Sequence, residues 1–167
     1  MRGDEDHGSH GSTGVAGADL RRVAGQFPTG VAVITTTLDD RPYGFAANAF
    51  TSLSLDPPLV LVCAARSSGT RPALVASGAF TVNLLAADQE GVCRVFASKG
   101  DDRFAGLGWE PGHGGAPRIH GALAHLDCTL YSLLPGGDHV IFTGLVTSVD
   151  EHEGEPLVFF RGAFRSL

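Results

Sequence analysis

The sequence has few positive charges, and almost none of them is lysine. Its 167 residues include 12 basic and 18 acidic side chains, which gives a formal charge of −6, and Lys99 is the single lysine. An acidic chain does not attract a polyanion, so this balance excludes nucleic acid and an anionic membrane as the main partner.

Long apolar runs and paired cysteines are also missing. No run approaches the roughly 18 apolar residues that span a bilayer, and no apolar signal segment is visible near Met1. We therefore expect no membrane association and a cytoplasmic location. Cys63, Cys93 and Cys128 are separated by 30 and 35 residues without a CxxC pair. This spacing favours buried thiols over a disulfide framework or a zinc site.

Several common catalytic and nucleotide-binding motifs are absent. There is no GxGxxG after a strand, Lys99 is not followed by Ser or Thr as in a P-loop, and neither HExxH nor GxSxG occurs. Grouping His113, His120 and His125 as metal ligands finds no carboxylate or cysteine at ligand spacing, so no metal site is expected. A nucleotide-like ligand would need another scaffold.

What is present indicates one folded domain. Hydrophobic residues make up 43% of the chain and charged residues 18%, which allows a packed core. Residues 1–17 are rich in Gly, Ser, His and acidic side chains and cannot bury enough surface to become ordered. We therefore expect a disordered tail over residues 1–17 and a single domain over residues 18–167.

Hydrophobic periodicity predicts a mainly β protein with a few short helices. Six or seven strands, mostly in hairpin order, indicate a closed antiparallel barrel rather than a parallel βαβ sheet. The predicted helices cover residues 19–26 with Asp19 as N-cap, 70–77 and 88–97, and the predicted strands cover residues 31–38, 43–47, 59–63, 80–84, 122–131, 140–149 and 157–160.

Two segments have the composition of ligand-binding loops. Residues 44–54 combine small side chains with hydroxyls and the amide of Asn48, which would let a flat ring approach the backbone; an ordinary strand and turn is the alternative. Residues 66–70, Arg-Ser-Ser-Gly-Thr, lie between a predicted strand and a predicted helix, and could seat a phosphate or simply cap the helix. Lys99 and Arg103 could add cationic contacts, or Arg103 could pair with a neighbouring aspartate.

His139 begins a predicted strand after a glycine turn, where a polar side chain could meet a ligand at a barrel mouth. A solvated or structural histidine is the alternative. On residue type alone, this position does not decide between the two.

These segments, in this order, resemble the short-chain flavin reductase family. The similarity covers roughly residues 18–167, and its order and spacing are more specific than any one motif. The resemblance implies an antiparallel split β-barrel with short flanking helices, the FMN-binding split barrel. The matching stretches are residues 27–36, 46–60, 77–85, 96–97, 102–104, 121–124, 137–139 (Gly-Asp-His), 156–158 and 161–162.

The resemblance also implies a function. Such a protein is an NAD(P)H:flavin oxidoreductase that reduces FMN or FAD by hydride transfer and supplies diffusible reduced flavin to a separate monooxygenase. It is usually a homodimer. Hydride transfer is chemistry of the flavin and nicotinamide, so no residue is assigned as a general acid or base. A flavin-binding or carrier protein without nicotinamide turnover is the alternative, because fold alone does not fix function.

The family's binding residues can be placed on matching positions of this chain. One group would surround the flavin ring and ribityl chain, a second would hold the phosphate, and His139 would help to position the nicotinamide. The ring group is Thr29, Gly30, Ala46, Ala47, Asn48, Ala49, Thr51, Ser52 and Ser54, and the phosphate group is Ser67, Ser68, Thr70, Lys99 and Arg103.

Overall fold

Seven antiparallel strands form the main sheet of the protein, in the order β3-β2-β6-β9-β10-β5-β4. The computed structural model describes residues 14–100 and 102–165, so the tail expected over residues 1–17 lies mostly outside the described residues. The strands are β1 (Thr29–Gly30), β2 (Ala32–Leu38), β3 (Arg41–Ala47), β4 (Phe50–Leu55), β5 (Pro58–Ala65), β6 (Ala79–Leu84), β7 (Trp109–Pro111), β8 (Pro117–Ile119), β9 (Ala124–Gly136), β10 (His139–Glu151), β11 (Val158–Phe160) and β12 (Ala163–Arg165).

The barrel is split rather than closed. Strands β3 and β4 are the two ends of the hydrogen-bonded order and do not pair with each other. The expected antiparallel barrel is confirmed, but its expected closure is wrong. Asn48 and Ala49 connect the two edge strands, and Cys63 N–H donates to Ala49 O at 3.1 Å.

Three short helices flank the sheet: α1 (Gly17–Ala24), α2 (Thr70–Ser77) and α3 (Glu90–Ala97). Helix α2 has the predicted bounds and ends at Gly78, whose φ of 68° is the left-handed conformation that glycine adopts readily. Helix α1 begins earlier than predicted, with Ala16 instead of Asp19 as N-cap. Within the described ranges, no helix is both long and apolar enough to cross a membrane.

Two apolar cores lie on opposite faces of the sheet. Phe80, Phe142 and Ile34 fill the barrel interior. On the outer face, Val33 packs with Phe96 of α3 and other apolar side chains in a second cluster. Because β2 contributes to both clusters, its residues are buried on both faces.

The outer face of the sheet also carries a side-chain amide whose hydrogen bonds are all made to other groups of the protein. The side chain of Asn83 on β6 is fully buried. Its Nδ2 donates to Val33 O at 3.0 Å and lies 3.1 Å from Thr35 Oγ1. It also lies 3.3 Å from Pro117 O, and its Oδ1 accepts from Ile119 N–H at 2.7 Å. Asn83 therefore fastens β8 to the sheet.

A buried carboxylate lies on the same face as Asn83. Asp127 of β9 pairs with Arg118 and accepts hydrogen bonds from Thr81 Oγ1 at 2.7 Å and His113 N–H at 3.0 Å. Burial raises the pKa of Asp127, but the bonds from Arg118, Thr81 and His113 outweigh burial and hold that pKa below its ordinary value. These bonds tie the 113–118 segment to the barrel.

Candidate functional site

A cavity of about 740 Å³ opens beside the connection between the two edge strands. Its lining is mainly apolar. One polar atom of the lining, Thr29 Oγ1, is buried and finds no hydrogen-bond partner in the residues that the structure describes. We name it the ring cavity. It is lined by Ala24, Phe27, Pro28, Thr29, Gly30, Val31, Ala32, Asn48, Ala49, Phe50, Thr51, Leu84, Leu85, Leu123, Pro156 and Leu157.

Local structure explains how the ring cavity is formed. Helix α1 ends before Pro28, which lacks the N–H that a helix needs. The chain then becomes extended, and Thr29 and Gly30 pair with Phe159 and Val158 of β11. The structure thus brings together five predicted ring-site residues: Thr29, Gly30, Asn48, Ala49 and Thr51.

The small side chains of Ala46 and Ala47 line an adjoining cavity of about 200 Å³, together with Asn48 and Phe164. Asn48 belongs to both cavities. Alanines at these positions keep the backbone of β3 accessible to a flat group, because their side chains occupy little space. The predicted residues 46–49 therefore act together in shaping one surface.

A third, smaller pocket of about 120 Å³ contains the predicted phosphate residues Thr70 and Arg103. We name it the cationic pocket. Thr70 Oγ1 donates to Gly44 O at 3.0 Å, and Arg103 Nη1 donates to the same oxygen. Arg103 Nη2 also donates to Ser98 O at 2.8 Å, whereas its Nε is buried and has no hydrogen-bond partner among the residues that the structure describes.

Strand β3 connects the cationic pocket to the ring cavity. Gly44 and Asn48 are four residues apart, which corresponds to about 13 Å of extended chain. Because β3 is an edge strand, one side of its backbone has no neighbouring strand to pair with. A long ligand with a ring at one end and an anion at the other could follow this edge.

Other predicted residues lie outside these pockets. Ser67 is exposed in the turn before α2, and Ser68 is half-buried there, with its N–H donating to Ala65 O at 2.9 Å. Lys99 is exposed next to Gly100, a residue of the cationic pocket. Ser52 and Ser54 lie on β4 and line none of the three pockets.

His139 also lies apart from the ring cavity. It begins β10 opposite Ala65, and its Nδ1 is 2.8 Å from the carboxylate of Asp138. The hydrogen bond with His139 lowers the pKa of Asp138. His139 is not one of the residues that line the ring cavity within one chain.

Sequence reasoning did not identify several aliphatic residues that form the ring cavity. Leu84, Leu85, Leu123, Pro156 and Leu157 come from three separate segments. Their side chains carry no chemical signature of a ligand site and look like ordinary core residues. Only their occurrence in stretches that match the family, such as residues 77–85 and 156–158, pointed to them.

The cysteines lie away from the cationic pocket and have no disulfide partner. Cys93 and Cys128 are buried, as expected, and Cys63 is half-buried. Burial raises the pKa of all three thiols, that of Cys128 to about 12. None is thereby activated as a thiolate nucleophile.

Comparison with known proteins agrees with this geometry. The family model described as "Flavin reductase like domain" matches residues 24–167. The chain is 47% identical over 151 residues to the "Flavin-dependent monooxygenase, reductase subunit HsaB" of Mycobacterium tuberculosis, which covers 89% of this chain and 81% of that protein.

Solved structures share the fold. The Streptomyces globisporus NADH:FAD oxidoreductase SgcE6, in complex with NAD and FAD fragments, superposes with a TM-score of 0.85 at 44% identity, covering 89% of this chain and 90% of that chain. BorF, the flavin reductase component of a bacterial two-component tryptophan halogenase, gives 0.85 at 39% identity, covering 91% and 98%. The split barrel expected from the sequence is confirmed, and the chain belongs to the flavin reductase family.

Proposed function

We propose that this protein is an NADH-dependent flavin reductase that reduces FMN or FAD. The observation that carries the proposal is the arrangement along the edge strand β3, where an apolar ring cavity lies near one end and a cationic pocket near the other. NADH is the donor named for similar proteins from Streptomyces globisporus and a Rhodococcus species. These names also favour a reductase over the carrier alternative.

The residues present suit a flavin phosphate at one end of the groove. Within residues 14–100 and 102–165 the buried Nε of Arg103 has no partner, and a phosphate oxygen is an acceptor that a guanidinium binds strongly. Thr70 lies at the start of α2, whose dipole favours an anion. Ser67, Ser68 and Lys99 are close enough in sequence to add contacts, and we keep them in the proposed phosphate group.

The ring cavity suits the other end of the flavin. Its apolar walls exclude water, and the buried hydroxyl of Thr29 can bond to a polar edge of the ring. Ala46, Ala47 and Asn48 offer backbone groups and one amide. Ser52 and Ser54 stay in the proposal as the outer end of the same segment.

Flavin, when bound, supplies the chemistry by accepting a hydride from the nicotinamide. The chain holds the two flat groups together and keeps water away from them, so no side chain needs to donate or remove a proton. We infer that reduced flavin then leaves for a separate monooxygenase, as the names of the related reductase subunits and components indicate. The cytoplasm is the proposed location, and residues 18–167 the proposed domain.

We further propose that the working form is a homodimer. Leu20, Val23 and Phe27 at and after α1 are 60%, 58% and 75% exposed, and Phe27 also lines the ring cavity. An exposed apolar stripe of this kind marks a protein interface. A second subunit placed there would cover the cavity mouth, and contacts between subunits would bring His139 to the nicotinamide.

The first experiment measures NADH oxidation by purified flavin-free protein, with and without FMN or FAD. Turnover should require flavin and saturate with it. His139→Ala should lose most of the rate while its flavin affinity, measured by fluorescence titration, changes little. His120→Ala, which alters another exposed histidine, is the matched control. Flavin binding without turnover by either NADH or NADPH would contradict the reductase proposal.

Light scattering tests the dimer separately. The wild-type protein should have the mass of two chains, and Val23→Glu should convert it to a monomer. Val95→Glu, on the exposed side of α3, should not. A monomeric wild type with full activity would refute the dimer and leave the reductase assignment intact.

A further inference from the structure

Outside the groove, a buried imidazole nitrogen has no hydrogen-bond partner in the described part of the chain. His125 on β9 is 5% exposed, and its Nδ1 is buried and unpaired. Its other ring nitrogen, Nε2, lies 2.9 Å from the carbonyl oxygen of Ile119. Because a carbonyl oxygen can only accept, Nε2 is the donor in this bond, and in the neutral form of the ring that tautomer leaves the lone pair of Nδ1 free. In metal sites, the ring nitrogen of a histidine that does not bind the metal typically donates to a carbonyl or carboxylate, which fixes the tautomer of the ring.

Strand pairing brings a carboxylate and a second imidazole to His125. Asp150 of β10 lies directly opposite His125 in the ladder, so the two side chains share one face of the sheet. His152 follows two residues later, and its N–H donates to Leu123 O at 2.7 Å, which continues the extended path. One possible ligand atom from each of the three residues lies within 4.8 Å of the others.

The distances suit a small divalent ion. His152 Nε2 and Asp150 Oδ2 are 3.5 Å apart. Zinc bonds of about 2.1 Å in a tetrahedral arrangement place two ligand atoms about 3.4 Å from each other. The side chains of His152 and Asp150 are 51% and 49% exposed, so both can rotate toward the fixed ring of His125.

The surrounding charge also favours a cation. Exposed glutamates at positions 151, 153 and 155 alternate with the residues of the cluster. Arg118 is the basic side chain whose charge interacts with Asp150, and it is already paired with Asp127. The local field is therefore negative on balance.

We propose that His125, Asp150 and His152 bind a divalent transition-metal ion, with zinc as the expected occupant. Two imidazoles and one carboxylate are ligands that zinc accepts, and a fourth position remains for water. The ion would clamp the end of β10 to β9. It would also fix the start of the segment that leads to Pro156 and Leu157 in the ring cavity.

The test uses the full-length protein after treatment with a chelator. Zinc is titrated against a chromophoric chelator, and Co²⁺ is titrated separately to record its visible absorption. We expect one ion per chain and a Co²⁺ spectrum of low coordination number. Asp150→Asn and His152→Gln should each weaken zinc binding by at least about 10- to 100-fold. Both positions are exposed, so the metal-free melting temperature should not change.

Two controls separate this site from other imidazoles. His7 and His10 near the N-terminus could bind zinc together, so the His7→Gln/His10→Gln double variant must retain full affinity. His120→Gln must retain it as well. Failure to bind zinc, loss of binding only in the His7/His10 variant, or unchanged binding in Asp150→Asn and His152→Gln would each overturn the proposal. None of these results depends on reductase activity.

Discussion

The buried side chains of Asn83 and Asp127, on the outer face of the sheet, differ in their hydrogen bonding from the buried polar groups in the groove along β3. On the outer face, Asn83 and Asp127 have protein partners for the bonds that their side chains require. In the groove, Thr29 Oγ1 and Arg103 Nε are buried and have no hydrogen-bond partners among the described residues. An unpaired buried group costs about 1–3 kcal/mol, so Thr29 and Arg103 in the groove carry a cost that Asn83 and Asp127 do not. Paired groups stabilise the fold, whereas unpaired groups remain available to a ligand.

The largest effect should come from breaking the paired carboxylate. Asp127→Ala leaves Arg118 of β8 without its counter-ion, and breaking a buried pair costs about 3–5 kcal/mol. Urea unfolding should show this loss in the free energy of unfolding. The variant that remains folded should bind flavin as the wild type does, because Asp127 does not line the groove.

The effect of pH tests the cause of that loss. The folded-state pKa of Asp127 is depressed, so its contribution is complete above the unfolded-state pKa and is lost as the pH falls through the folded-state pKa. The difference in unfolding free energy between wild type and Asp127→Asn should therefore begin to narrow below about pH 5, and it should keep narrowing as the pH falls through the lowered folded-state pKa. A constant difference over this range would show that the charge is not responsible.

Asn83→Ala should have the next largest effect, a loss of about 2–3 kcal/mol in the free energy of unfolding. The substitution leaves Ile119 N–H and the carbonyl of Val33 without a side-chain partner in the buried outer layer. Ser98→Ala, which removes an exposed hydroxyl, is the control. A loss below about 1 kcal/mol would mean that water replaces the amide.

Arg103→Ala should show the reverse pattern. Flavin affinity should fall about 10- to 100-fold, since a hydrogen bond to a charged group contributes about 1.5–3 kcal/mol. The free energy of unfolding should change by no more than about 1 kcal/mol, because Gly44 O keeps its bond from Thr70. Fluorescence titration with FMN and FAD measures the affinity.

Arg94→Ala provides the matched comparison for Arg103. Arg94 is exposed and pairs with Glu90 on α3, outside the ring cavity and the cationic pocket. Its removal should leave flavin affinity unchanged. Equal losses in the two variants would mean that Arg103 acts only through the general charge of the protein.

Thr29→Val should have the smallest effect. The sign of its change in the free energy of unfolding distinguishes an unpaired group in the groove from a paired group on the outer face of the sheet. Removing an unpaired hydroxyl should raise the free energy of unfolding by about 0.5–1 kcal/mol while weakening flavin binding a few-fold. Thr147→Val removes a hydroxyl that is paired with Asp127 O and should instead lower stability. A loss of stability in Thr29→Val would show that its hydroxyl is already satisfied.

The sequence predicted secondary structure best where a periodic hydrophobic pattern is followed directly by a residue that ends the element. Helix α2 was predicted with its observed bounds because Gly78 ends it, and the alternating pattern of residues 122–131 marked most of β9. Strand β7 was not predicted, because it lies within residues 106–117, which are rich in Gly and Pro. The openness of the barrel depends on the relative position of β3 and β4, which no local pattern encodes.

The candidate site shows a similar division. Thr70 and Arg103 could be named from residue type and family resemblance, but their meeting point is the carbonyl oxygen of Gly44, a group that every residue possesses. The pairing of His125 with Asp150 depends on a register that shifts twice along β10. A sequence grouping by chain distance could not anticipate it.

Gly44 has a consequence for how this protein can change over time. A methyl group at this position would lie 2.6 Å from the ring of Phe96, and Phe96 packs edge-on against Phe104 in the cationic pocket. Positions 44 and 96 are therefore mutationally coupled: Gly44→Ala can be accommodated only alongside a smaller side chain at 96. A smaller side chain at position 96 would also move Phe104. Substitutions in the core therefore change the cationic pocket, and core packing and anion affinity cannot evolve independently.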